Sequence, residues 1–249
     1  MDKAGSIDTR RIGSALSSSE GLGPWRGVLR VGGWAALASV VLTFVQVWIY
    51  VQWPPPETVE GFYALFAERP FLGLLSMDLL YIVNNAIVLL VYLALFAVLR
   101  HAYPSTVAIG LLLGAMGMAA YMASNTGFEM LSLANAYATA DATGRVALIG
   151  AGEAMLAVFE GTAFDIYYVL SAIALFLFAG SMLRSRLFSR ATGFWGLAAA
   201  VLMIVPSTAG TVGMVFALGS LIPWVAFSVL TGRQLLYLGS TGRGSEAGL

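Results

Sequence analysis

The chain is 249 residues long, 59% hydrophobic and 10% charged, with a mean hydropathy of +0.84. Soluble domains carry about 25% charged and about 45–50% apolar residues, so the composition points to an integral membrane protein. Its 13 basic and 13 acidic residues cancel, leaving no global field to attract nucleic acid, and the lack of cysteine excludes disulfides, thiolate catalysis and cysteine metal sites.

Residues 1–27 are polar, rich in Ser and Gly, and carry both charge signs. They lack the apolar run of a signal peptide and are expected to form a flexible cytoplasmic tail. Residues 28–238 read as one membrane domain and 239–249 as a second short tail. A spanning helix needs roughly 20 mostly apolar residues, and six stretches are candidates. The first is 32–53, ended by the prolines that follow Trp53, which cannot continue a helix. The second, 71–99, is long enough to tilt or protrude. The third is 106–124 and the fourth 163–183. The fifth, 191–207, is short and ends at Pro206. The sixth, 212–235, carries Pro223 as an expected kink.

Six crossings put both termini on one side, and the cations choose it. Lys3, Arg10, Arg11, Arg26, Arg30, Arg100, Arg184, Arg186, Arg190, Arg233 and Arg243 fall on the tails or the even-numbered connections; Arg69 and Arg145 fall opposite. Lys and Arg are retained in the cytoplasm, so both termini are expected inside the plasma membrane. Trp25, Trp34, Trp53, Tyr103, Trp195 and Tyr237 lie near segment ends, as interfacial aromatics do. The expected fold is an all-α, six-span integral membrane bundle, N-in and C-in.

Residues 124–168 then become an outer connection holding Glu129, Asp141, Glu153, Glu160 and Asp165. Within it, 144–160 has Val146, Ile149, Met155 and Val158 at near-helical spacing, which predicts an amphipathic helix capping the outer face. Residues 57–70 form a shorter analogue.

Two stretches look alike. EGFYALFAE (60–68) matches EAMLAVFE (153–160), MDLLYI (77–82) matches FDIYYV (164–169), NAIVLL (85–90) matches SAIALF (171–176), and LRHAYPS (99–105) matches LRSRLFS (183–189), in the same order. The competing explanations are a parallel repeat of segment pairs 2–3 and 4–5, as in some transporters, and chance similarity between apolar stretches. A repeat would pair Asp78 with Asp165 and Tyr81 with Tyr168.

Asp78, Tyr81, Asn85 and Tyr92 share one face of the second segment. A carboxyl at that depth is costly and should face the bundle interior or a wet cavity. Asp78 can carry its proton, be hydrogen-bonded by neighbours, or reach water; a structural anchor between helices is the plain alternative. Asp165, Tyr168 and Ser171 repeat the pattern in the fourth segment, Thr43, Gln46 and Tyr50 in the first, and Asn125 and Glu129 lie a turn apart near the end of the third. The candidate ligand-binding set is Gln46, Asp78, Tyr81, Asn85, Glu129, Glu160, Asp165 and Tyr168, converging on an acid-lined cavity open to the outside. Glu57, Glu60, Glu68 and Asp141 read as solvated surface. No metal or cofactor is expected: carboxylate clusters suit hard cations, catalytic zinc prefers His, and the sole His is His101 on a cytoplasmic turn. No nucleotide or hydrolase fingerprint is present.

The run Ser124-Asn-x-x-Phe-Glu129, Arg145, Ala151-Gly-Glu153, Phe159-Glu-Gly-Thr-Ala-Phe164 and Leu183-Arg-Ser-x-x-Phe-Ser189 resembles an uncharacterised family of bacterial multi-pass membrane proteins, of the domain of unknown function 4386 type. The resemblance covers about residues 25–238 and implies a six-helix membrane protein, with no ligand or catalytic residue to carry over. Two functions stay open: binding or moving a small molecule, lipid or ion through the cavity, or an intramembrane enzyme acting on a lipid or isoprenoid with paired carboxylates. A scaffold without a cavity is the third. The expected partners are the bilayer and such a ligand, and a six-helix transporter would gain a path by forming a homo-oligomer.

Overall fold

A computed structural model describes residues 22–240. The greater part of both expected tails, with Lys3, Arg10, Arg11 and Arg243, lies outside the described residues. The described chain is helical, with no strand. After a short 3-10 turn at Gly23–Trp25 come α1 (Arg26–Gln52), α2 (Val59–Glu68), α3 (Pro70–Ser76), α4 (Leu79–Leu99), α5 (Pro104–Ser124), α6 (Gly127–Thr139), α7 (Ala142–Phe159), α8 (Thr162–Arg184), α9 (Arg190–Leu202) and α10 (Gly210–Ser240). Five helical runs are long and apolar enough to cross a membrane; they contain α1, α4, α5, α8 and α10.

Two departures from the expected segments matter. The second segment is not one helix. It breaks between α3 and α4 at Met77 and Asp78, and Asp78 adopts a left-handed backbone (φ 61°, ψ 27°). The fifth segment is helical for only 13 residues, in α9. At 1.5 Å per residue that is about 20 Å, short of the roughly 30 Å hydrocarbon layer. Residues 203–209 continue without helix toward the start of α10. A helix that the sequence did not predict, α6, occupies part of the long connection. The expected helix at 144–160 forms as α7, and Pro223 sits inside an unbroken α10.

The long helices and α9 pack in a closed ring: α1 on α4, α4 on α5, α5 on α8, α8 on α9, α9 on α10, and α10 back on α1. Small residues allow the close approaches. A Cβ on Gly114 would lie 2.6 Å from the Tyr92 ring, and one on Gly33 would lie 2.7 Å from Leu236, so these glycines of α5 and α1 serve contacts inside the bundle. Tyr92, Leu95, Leu175, Phe178, Phe227 and Leu235 are fully buried in this core. Trp34, Phe44, Trp48, Leu112, Phe176 and Ile222 point outward from the ring and are exposed. Burial inside and apolar exposure outside is the pattern of a helix bundle solvated by lipid.

The two ends differ. At one, Arg30 Nε donates to Gly239 O at 3.0 Å, Gln234 donates to Leu187 O at 2.6 Å, and the Arg100 guanidinium lies 4.4 Å over Trp25. Arg26, Arg184, Arg186, Arg190 and Arg233 share this arginine end. The other end is capped by α2, α3, α6 and α7 around a separate apolar cluster that includes Phe62, Tyr63, Phe66, Met77, Met130 and Ala134. Tyr63 donates to Leu148 O at 2.7 Å and Thr126 to Met155 O at 3.0 Å, tying α2 and α6 to α7. Burial, then the Glu60 charge, pushes the Tyr63 phenol up, which keeps it a donor. Asp141 caps α7 and Thr58 caps α2.

Candidate functional site

The ring closes around a cavity of about 270 Å³ in its capped half. Every helix of the ring except α9 contributes to the wall, and α9 contributes through the Met203–Ser207 segment that follows it. α1 supplies Thr43, Gln46 and Tyr50, α4 supplies Tyr81, Asn84, Asn85 and Tyr92, and α5 supplies Met118 and Tyr121. Phe164, Tyr167, Tyr168 and Ser171 come from α8, and Met214, Ser220 and Trp224 from α10. Asp78 is the one carboxyl among them, and no Lys, Arg or His lines the space. A second cavity of about 560 Å³ adjoins it toward the capped end and shares Asp78, Phe164, Ser207 and Met214. It adds Phe159, Glu160, Thr208 and Thr211.

The helix break is what puts Asp78 there. A left-handed residue ends α3, and Asp tolerates that conformation better than most side chains. Its own carbonyl restarts the helix, accepting from Tyr81 N at 2.9 Å and Ile82 N at 3.1 Å. Two side chains from neighbouring helices hold the break open. Gln46 Nε2 donates to Leu75 O at 3.2 Å, and Asn125 Nδ2 donates to Met77 O at 2.6 Å. Tyr50 donates its hydroxyl to the Asp78 carboxyl. Backbone carbonyls freed within an apolar bundle need such partners.

The opposite wall is built similarly. Tyr168 Oη donates to Ser207 Oγ at 3.2 Å and Thr208 Oγ1 to Asp165 Oδ1 at 2.6 Å, so α8 fastens the non-helical segment 203–209 beside the cavity. Aromatic rings make a continuous lining: Tyr121 and Tyr167 have centroids 4.8 Å apart, Tyr167 and Tyr168 5.4 Å, and Phe164 and Tyr168 5.2 Å. Several buried polar atoms around the cavity meet no protein partner at hydrogen-bonding geometry: Gln46 Oε1, Asn84 Oδ1 and Ser171 Oγ. Buried polar groups are almost always paired, so their concentration around one space is the feature that sets it apart from packing.

Of the residues singled out from sequence, Gln46, Asp78, Tyr81, Asn85 and Tyr168 line the inner cavity, and Glu160 lines the outer one with Asp78. Asp165 lines neither; its carboxylate accepts from Thr208. Glu129 is exposed in the first turn of α6, away from both spaces. Sequence reading missed Asn84, Tyr121, Tyr167, Ser207 and Trp224. Tyr167 is next to Tyr168 but lies off the face through Asp165, Tyr168 and Ser171, and it still reaches the cavity. His101 is exposed on the turn between α4 and α5, and among the described residues no three His, Asp or Glu side chains gather where they would hold a metal ion.

The fold and site define a class, a helical bundle fit for a membrane with a central polar cavity. Comparison with protein-family models, curated proteins and solved structures found no match.

Proposed function

We propose that this is a plasma-membrane protein of six crossings that binds, and moves, a small molecule through the central cavity. The observation that carries the reading is the inner cavity itself. It combines one carboxyl, a ring of tyrosines and several orphaned buried polar atoms in the middle of an otherwise apolar bundle. Small-molecule sites have this composition, mostly apolar walls with a few convergent polar groups. In this reading α9 and residues 203–209 together make the sixth crossing. Non-helical backbone at membrane depth is tolerated where it lines a cavity, and broken helices at a binding site are common in transporters. The arginine end faces the cytoplasm with both termini, and the capped end faces outward. The α4–α5 and α8–α9 pairs are a parallel repeat, and the resemblance to the uncharacterised bacterial family fits the same architecture.

An enzymatic reading draws support from one observation: Asp78 and Glu160 line the same outer cavity. The inner cavity, where a substrate would be enclosed, holds Asp78 as its sole acid, and this favours binding over paired-acid chemistry.

Native mass spectrometry tests the reading. Protein extracted gently from its membrane should carry a small-molecule adduct, and the Ala217→Phe variant, which fills the cavity wall, should lose it while keeping its thermal transition. An adduct unchanged in the variant would place the ligand elsewhere and defeat the proposal.

A further inference from the structure

We infer that the inner cavity is a receptor for an organic monocation, an amine or ammonium head carried on a small apolar body. The inference rests on the ligand-cavity reading above and names its ligand class. Three independent features point to it.

The first is charge. Asp78 is the single carboxyl on the wall, and no cation among the lining residues neutralises it. A buried carboxylate without a cationic partner is costly, and a cationic ligand removes that cost where a neutral or anionic one does not.

The second is the wall. Tyr50, Tyr81, Tyr92, Tyr121, Tyr167 and Tyr168 surround the space. Aromatic faces attract cations through their quadrupoles, most strongly in desolvated sites, and cages of such rings are a recurrent solution for ammonium groups. Gln46 Oε1 and Asn84 Oδ1 add acceptors without protein partners, on side chains only 1% and 6% exposed. Orphaned acceptors that line the same cavity as a carboxyl suit the N–H groups of an ammonium.

The third is the approach. All nine acids among the described residues, Glu57, Glu60, Glu68, Asp78, Glu129, Asp141, Glu153, Glu160 and Asp165, lie at the capped end, against Arg69 and Arg145. Glu160 stands in the outer cavity on the way to Asp78. An acidic mouth concentrates cations before they enter. At about 270 Å³ the inner space is at the small end of ligand sites, which begin at about 300 Å³, so the apolar body is limited to about one ring.

Benzylamine, cationic at neutral pH, and benzyl alcohol, its neutral counterpart of the same shape, separate the cases. Each is titrated calorimetrically into the full-length protein in nanodiscs. The protein should bind the ammonium about tenfold tighter than the alcohol, the ratio that about 1.4 kcal/mol of cation-specific interaction produces. Asp78→Asn should abolish that preference and leave alcohol binding in place, which also reports that the variant is folded. Asn accepts the left-handed backbone as readily as Asp. Val146→Ala, exposed on α7 and away from both cavities, should bind both probes as the parent does. Equal affinity for the two probes, both lost in Ala217→Phe, would overturn the cation assignment and leave the ligand cavity standing. A preference that survives Asp78→Asn would overturn it as well. Binding of neither probe would overturn both readings.

Discussion

Asp78 is the residue on which the site turns, and its backbone matters as much as its charge. The left-handed conformation costs most side chains about 1–2 kcal/mol, and Asn and Asp least. Asp78→Asn is therefore expected to unfold close to the parent temperature, with its amide oxygen still accepting from Tyr50. Asp78→Leu should lose about 2 kcal/mol or more, from backbone strain and from the Tyr50 hydroxyl left unpaired. Thermal unfolding of both variants in detergent checks this, and equal losses would mean that the strained backbone contributes nothing. The sequence announced a polar face through Asp78, Tyr81, Asn85 and Tyr92, and all four line the cavity. It did not announce the break, because Ser76, Met77 and Asp78 include no Gly or Pro and the break is held by Gln46 and Asn125 from distant parts of the chain. Glu129 lies off both cavities for a related reason. Counting it one turn beyond Asn125 assumed that α5 continued, whereas the chain turns at Asn125 and Thr126 and starts α6.

At the scale of elements, the bundle depends on side chains that replace missing helix hydrogen bonds. Asn125, the C-cap of α5, donates to Met77 O and accepts from Gly127 N at 3.1 Å, so one amide fixes the α3–α4 break and the start of α6. Asn125→Ala should cost about 1–3 kcal/mol, the range for leaving a buried polar group unmet. It should also raise hydrogen exchange at the amides of 77–82 above that of α10. Uniform exchange across the two regions would show that the break is stable without its tether. The long helices were legible from apolar length alone. The early end of α9 within the fifth expected segment was not, because Pro206 and Gly210 flank a stretch whose partners, Asp165 and Tyr168, lie on α8. The helix α6 was missed although Met130, Ala134 and Tyr137 mark a helical spacing, and Met130 and Ala134 bury against the cap.

For the whole molecule, the segregation of charge joins architecture to function. Most arginines gather at one end and the acids at the other; in the proposed orientation the arginines hold the inner face, and the acids bias what approaches the cavity. The glycine contacts of α1 and α5 are spent within the ring, which makes a single chain sufficient to enclose the site. The central claim is that this enclosed space opens at the capped end and toward the outside. The chain has no cysteine, so a single one can report on it. Ser171, 2% exposed and on the inner cavity wall, is replaced by Cys and treated in intact cells with a membrane-impermeant thiol reagent. Labelling from outside, slowed by a ligand that occupies the cavity, is the expected result. A thiol that reacts only after the membrane is opened would contradict the account.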